Sequence, residues 1–188
     1  MKFSKRDKFL QFRALDIEDM KASITRKFMK DRKVDKLDVV IDTKFIPHND
    51  EEKAKLIACF DPLTGSVNFN ILNKFPSKNF LVKVARHEVE HIWHYFLDAR
   101  NGGNIVDTWQ DKMFKEFGAI KNKRLKVEAD KCSHAIKNYV EFTEDYAKYL
   151  KNYIEAEART AGNVASDNYD KQGEMLRKSL PHIPKELL

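Results

Sequence analysis

Hydrophobic positions along the chain change their spacing from segment to segment, and each spacing predicts a different element. Within residues 4–33, Ile17, Met20, Ile24 and Phe28 recur at helical spacing between charged faces, which predicts an N-terminal helix. Residues 37–46 (LDVVIDTKFI) are rich in β-branched side chains and are followed by Pro47, the pattern of a strand. Residues 55–60 (KLIACF) predict a second strand. Asp61-Pro62-Leu63-Thr64-Gly65 is turn chemistry, because proline presets one dihedral and glycine accepts a positive φ. Strict alternation follows over 66–72 (SVNFNIL), with Val67, Phe69 and Ile71 on one face and Asn68 and Asn70 on the other. Residues 55–72 therefore read as a hairpin with one buried face.

At Ser77 the period becomes helical. Leu81, Val84, Ala85, Val89, Ile92 and Phe96 supply the apolar stripe of an amphipathic helix that runs to about Asp98. Asn101-Gly102-Gly103-Asn104 ends it as a loop. Two or three more helices are predicted beyond, over about 107–118, 124–138 and 141–161. From Asn163 the chain is polar, and Pro181 and Pro184 keep its last residues out of a helix. Helix, small sheet, then helices is the order of an α+β fold. We read 1–188 as one domain: an N-terminal helical segment (1–36), a core (37–161) and a polar C-terminal tail (162–188).

Composition narrows the setting. A chain of 188 residues builds one proper core and falls short of two comfortable domains. The opening MKFSKRDKFLQF alternates charge without a long apolar centre, so no secretory signal is expected. No run reaches the length that spans a bilayer, so no membrane role is expected. Cys59 and Cys132 stand far apart, which argues against a disulfide framework and for a reducing, cytoplasmic compartment. The net charge of +6 favours a polyanionic partner such as nucleic acid. Against that, lysines are mixed with acids throughout, and the basic patches at 26–33 and 121–126 carry no nucleic-acid motif.

Candidate chemistry lies in 86–96, RHEVEHIWHYF, which contains H-E-x-x-H from His87 to His91. On a helix His87 and His91 sit one turn apart and about 40° apart around the axis, close enough for both imidazoles to hold one ion. Glu88 lies about 100° from His87, on the flank of that face, where it can reach a water that the ion acidifies without itself ligating. His94 shares the face, but it is seven residues and about 10 Å along the axis from His87. Bonds near 2 Å cannot span that distance, so His94 reads as a residue supporting the ligands from behind. The bland alternative is an ordinary helix face rich in histidine. The position of the motif on a predicted helix directly after a hairpin favours the metal.

A catalytic zinc site needs a third protein ligand and an open position. Three acids are available: Glu128 in KVEADK, and Glu155 and Glu157 in YIEAEARTAGN. If 141–161 is one unbroken helix, Glu157 falls within a stripe of Tyr139, Phe142, Tyr146, Leu150 and Tyr153, and Glu155 points away. If the helix breaks near Lys151-Asn152, the phase resets and Glu155 can face the site.

With H-E-x-x-H at 87–91 and Glu155-Ala156-Glu157-Ala158 matching a downstream E-x-x-A pattern, the chain resembles zincin-like metallopeptidases of the gluzincin type. It is especially similar to the small zincin-like proteins of phages and mobile elements. The likeness covers about 37–161. It implies a small antiparallel or mixed sheet before the motif helix, several helices after it, and a glutamate on a later helix completing the site. The implied ligands are His87, His91 and Glu155, with Glu157 as the alternative; Ala158 permits close helix packing. No glycine-histidine continuation follows His91, and the N-E-x-x-S-D signature of thermolysin-like enzymes is missing, so substrate class is not inherited.

The expectation is thus a zinc-dependent hydrolase, a metallopeptidase acting on peptide or protein, with Glu88 activating the water. The strand at 66–72 is a candidate for binding an extended peptide. Location would be cytoplasmic, in a host cell or virion if phage-encoded. The rival readings are an inactive binding protein on a zincin scaffold and a basic nucleic-acid-binding protein with incidental histidines.

Overall fold

The computed structural model describes residues 57–69, 77–102, 111, 115–141 and 143–179. The predicted helix within 4–33, the strand at 37–46, the end of the strand at 70–72, most of the 107–118 helix and the last residues around Pro181 and Pro184 lie outside them. Among the described residues the chain is mostly helical with a two-stranded antiparallel sheet, an α+β arrangement.

The hairpin forms where turn chemistry predicts it. β1 (Ala58–Asp61) pairs with β2 (Ser66–Phe69), Asp61 opposite Ser66 and Ala58 opposite Phe69. Asp61 organises the turn: its carboxylate accepts from Leu63 N at 3.0 Å and from the Thr64 hydroxyl at 2.8 Å, and its carbonyl accepts from Gly65 N. Gly65 takes φ 67°, a conformation that excludes most side chains. One expectation fails. All four residues of β2 are buried, Asn68 among them, so both faces of the hairpin are covered rather than one.

Helix α1 (Lys78–Arg100) is the central element. Ser77 caps its start by accepting from Phe80 N at 3.1 Å, and Asn101-Gly102, with Gly102 at φ 81°, ends it. The predicted apolar stripe lines the core, joined by Trp93, Leu97 and Ala99. Its polar side is not solvent-facing as an amphipathic helix would have it: Glu88, Glu90, His91, His94 and Asp98 are all buried. The physical reason is that β1, a later helix (Lys123–Lys137) and the last helix (Tyr153–Ser179) all pack against α1.

Helix α2 (Lys123–Lys137) starts at Asn122, whose side chain accepts from Arg124 N and Leu125 N. It turns the small residues Ala129, Cys132 and Ala135 inward. Burial pushes the Cys132 thiol up to about 12, so it acts as a small core residue. Trp93 of α1 reaches across to α2, donating from Nε1 to Glu128 at 2.8 Å.

The segment predicted as one helix over 141–161 is two: α3 (Tyr146–Lys151) and α4 (Tyr153–Ser179). Asn152 makes the break with ψ 134°. Its side-chain oxygen accepts from Ile154 N at 3.1 Å, starting α4, while its amide nitrogen donates to the Ala135 carbonyl of α2 at 3.0 Å. α4 then runs on through the region expected as a polar tail. The reason is packing: Ala158 and Gly162 are buried, and Ser166 donates to Asn79 of α1 at 2.6 Å. No helix among the described residues is long and apolar enough to cross a membrane.

Candidate metal centre

Two neighbouring helices bring the polar cluster together. α1 contributes His87 and His91, one turn apart and on the same face, as the four-residue spacing requires. α4 contributes Glu155, the third residue after the break at Asn152. The phase reset is what aims it. Glu155 is 2% exposed, whereas Glu157 is exposed and lines a separate polar recess with Glu90, His94 and Glu128. Glu128 accepts from Trp93 and takes no part in the cluster.

Nε2 of His91 lies 3.2 Å from Nε2 of His87; Nε2 of His87 lies 3.4 Å from Oε2 of Glu155; Nε2 of His91 lies 3.5 Å from Oε1 of Glu155. A tetrahedral ion with bonds of about 2.0–2.1 Å sets neighbouring ligand atoms about 3.3–3.4 Å apart. The two imidazole nitrogens, and each of them with the Glu155 oxygen beside it, stand at about that spacing, and among the described residues His87, His91 and Glu155 form the group able to hold a metal ion. Oε2 of Glu155 and Nδ1 of His91 are buried without a hydrogen bond. A bare carboxylate oxygen inside a protein is costly unless a charge compensates it, and the donor set fits a cation.

Without a metal the cluster stores charge unevenly. Burial pushes His91 down to about 4, more than the Glu155 charge restores. For His87 burial acts the same way, but the adjoining Glu155 and Glu88 carboxylates outweigh it and raise the imidazole above its ordinary value. Glu155 would be raised by burial, yet His87, the charge of His91 and the Tyr149 hydroxyl together hold it well below the usual carboxylate range. Glu88 is 7% exposed, and burial pushes it up to about 7, with His87 opposing and Glu155 adding to the rise. The Phe60 backbone of β1 beside the Glu88 carboxylate opposes that rise slightly.

These groups line a cavity of about 260 Å³. Ala58, Cys59, Phe60 and Pro62 of the hairpin line it, together with Tyr139, Glu141 and Tyr149. Among the described residues the strand that lines the cavity is β1, while Ser66–Phe69 of the 66–72 strand is its buried partner. His94 stacks edge-on to His91, with ring centres 5.6 Å apart, and is 2% exposed; it supports His91 without entering the donor group.

Two tyrosines that the sequence pattern does not assign to the site also border it. Tyr139 in fact donates to Oε1 of Glu155 at 2.9 Å, and Tyr149 bonds the same carboxylate. A tyrosine-rich stretch just ahead of the acidic ligand candidate was the available signal, but it does not say which hydroxyl points where.

Comparison with known proteins adds no assignment: no family model matches the chain, and neither curated proteins nor solved structures give a significant match.

Proposed function

We propose that the protein is a zinc-dependent hydrolase of zincin-like type, most simply a metallopeptidase. One observation carries the reading: two imidazoles and a carboxylate converge from two helices within a cavity that also presents a buried glutamate outside the donor group. His87, His91 and Glu155 would hold the ion, and imidazole and carboxylate without thiolate suit zinc. When bound, zinc polarises a carbonyl oxygen and acidifies a water.

The remaining steps belong to the chain. The Glu88 carboxylate takes a proton from the attacking water as its oxygen adds to the peptide carbonyl carbon. It then delivers that proton to the amide nitrogen as the carbon–nitrogen bond breaks. Phe60 of β1 lines the cavity beside Glu88. β1, which lines the cavity, offers an extended backbone along which a peptide can lie.

A structural metal site has no use for Glu88, so Glu88→Gln separates catalysis from scaffolding. The variant is expected to keep zinc and fold and to lose peptide hydrolysis by at least about a hundredfold, the usual scale of general-base catalysis. Hydrolysis at the wild-type rate in purified Glu88→Gln would remove the general-base role.

A further inference from the structure

Glu155 can offer an ion either one oxygen or two, and the difference decides whether a fourth position stays open. Its two oxygens stand in unlike surroundings. Each lies beside one imidazole, Oε1 3.5 Å from Nε2 of His91 and Oε2 3.4 Å from Nε2 of His87, but Oε1 also accepts from the Tyr139 hydroxyl at 2.9 Å, while Oε2 is buried without a hydrogen bond.

Tyr139 is not loosely placed. It lies just past the end of α2, where its N–H donates to the Ile136 carbonyl at 3.2 Å. Its ring meets Tyr149 of α3 edge to face, with centres 6.2 Å apart, and Tyr149 stacks on Tyr146 at 6.3 Å. The Asn152 amide ties α2 to the α3–α4 junction two residues before Ile154 and three before Glu155. Ligand and hydroxyl are therefore held by one local framework.

We infer that Tyr139, seconded by Tyr149, is a positioning residue that engages Oε1 of Glu155 and leaves Oε2 as the single oxygen presented to the metal. The inference rests on the metal reading above and deepens it. A carboxylate limited to one oxygen keeps the ion four-coordinate with one position open to water, the arrangement that hydrolysis requires. Groups that orient a ligand from outside typically govern about 10–100-fold in metal affinity.

Cobalt(II), which reports its coordination number through its visible bands, supplies the test on the full-length protein. Wild type is expected to show the intense bands of a four-coordinate ion. Tyr139→Phe, which deletes only the hydroxyl, is expected to show weaker bands as the freed oxygen joins the ion, and affinity lower by about 10–100-fold. Its metal-free unfolding temperature should match wild type, which a merely structural role would not predict. Tyr149→Phe should shift the bands in the same direction by less, and it carries the test if Tyr139→Phe does not fold. Wild-type bands in the variant overturn the inference whatever the affinity. A wild-type chain that takes up no cobalt overturns the metal reading, and the positioning role with it; cobalt uptake with identical bands in both proteins overturns the positioning role alone.

Discussion

At position 157 a carboxylate faces solvent, while two residues earlier, at 155, another is 2% exposed and 3.4 Å from an imidazole nitrogen. The chain decides between them at Asn152, whose side chain both starts α4 and holds it to α2. A continuous helix would have turned Glu155 away, as the apolar stripe over 139–157 suggests. Glu155→Ala should therefore abolish stoichiometric zinc binding, whereas Glu157→Ala should change affinity less than about twofold, as expected of a surface substitution. Equal retention of zinc in both variants, read by competition with a chromogenic chelator, would reject Glu155 as a ligand. The histidines and Glu88 were legible because H-E-x-x-H encodes its geometry within a single turn of helix. The acid that joins them, Glu155, was legible only as a choice, because its direction depends on a break set by one asparagine. The hydroxyls that hold it were not legible, since side-chain direction beyond a helix end is fixed by tertiary packing.

Among elements, the contact of α1 with α4 builds the cluster, and small residues make it close. Ala158 is fully buried, and a Cβ placed on Gly162 would lie 2.6 Å from the Lys83 carbonyl oxygen of α1. In an open helix, alanine in place of glycine would stabilise by about 1 kcal/mol. Here the backbone oxygen has no easy retreat, so Gly162→Ala is expected to destabilise by about 1–3 kcal/mol, the scale of overpacking. Because α4 carries Glu155, zinc affinity should fall with it. A variant that unfolds at or above the wild-type temperature in thermal denaturation would show that the helices can separate freely. The sequence foretold the bounds of α1 and α2 and the turn of the hairpin, since caps and turn residues act locally. It did not foretell that α4 reaches Ser179. Polar composition from Asn163 onward resembles a tail, and only the spacing of Ala158 and Gly162 hinted at a helix pressed against another.

For the whole molecule, the arrangement places a buried polar helix face at the centre of an α+β fold. Buried carboxylates and imidazoles cost free energy unless a partner compensates them. A metal held by the proposed donors would do so only in the folded state, because they come from helices far apart in sequence, so binding and stability would be coupled. An ion present at about a thousandfold its dissociation constant stabilises by roughly 4 kcal/mol, enough to raise the unfolding temperature by about 8–16 °C. The most direct measurement is zinc content per chain by elemental analysis, paired with thermal unfolding, on untagged protein. Wild type, Glu88→Gln and His87→Ala would be compared after zinc is supplied and excess removed. The account predicts about one zinc per chain in wild type and Glu88→Gln, with higher unfolding temperatures than the metal-free forms, and neither in His87→Ala. Zinc absent from all three, with unfolding indifferent to added metal, would contradict it and leave 86–96 as a histidine-rich helix face.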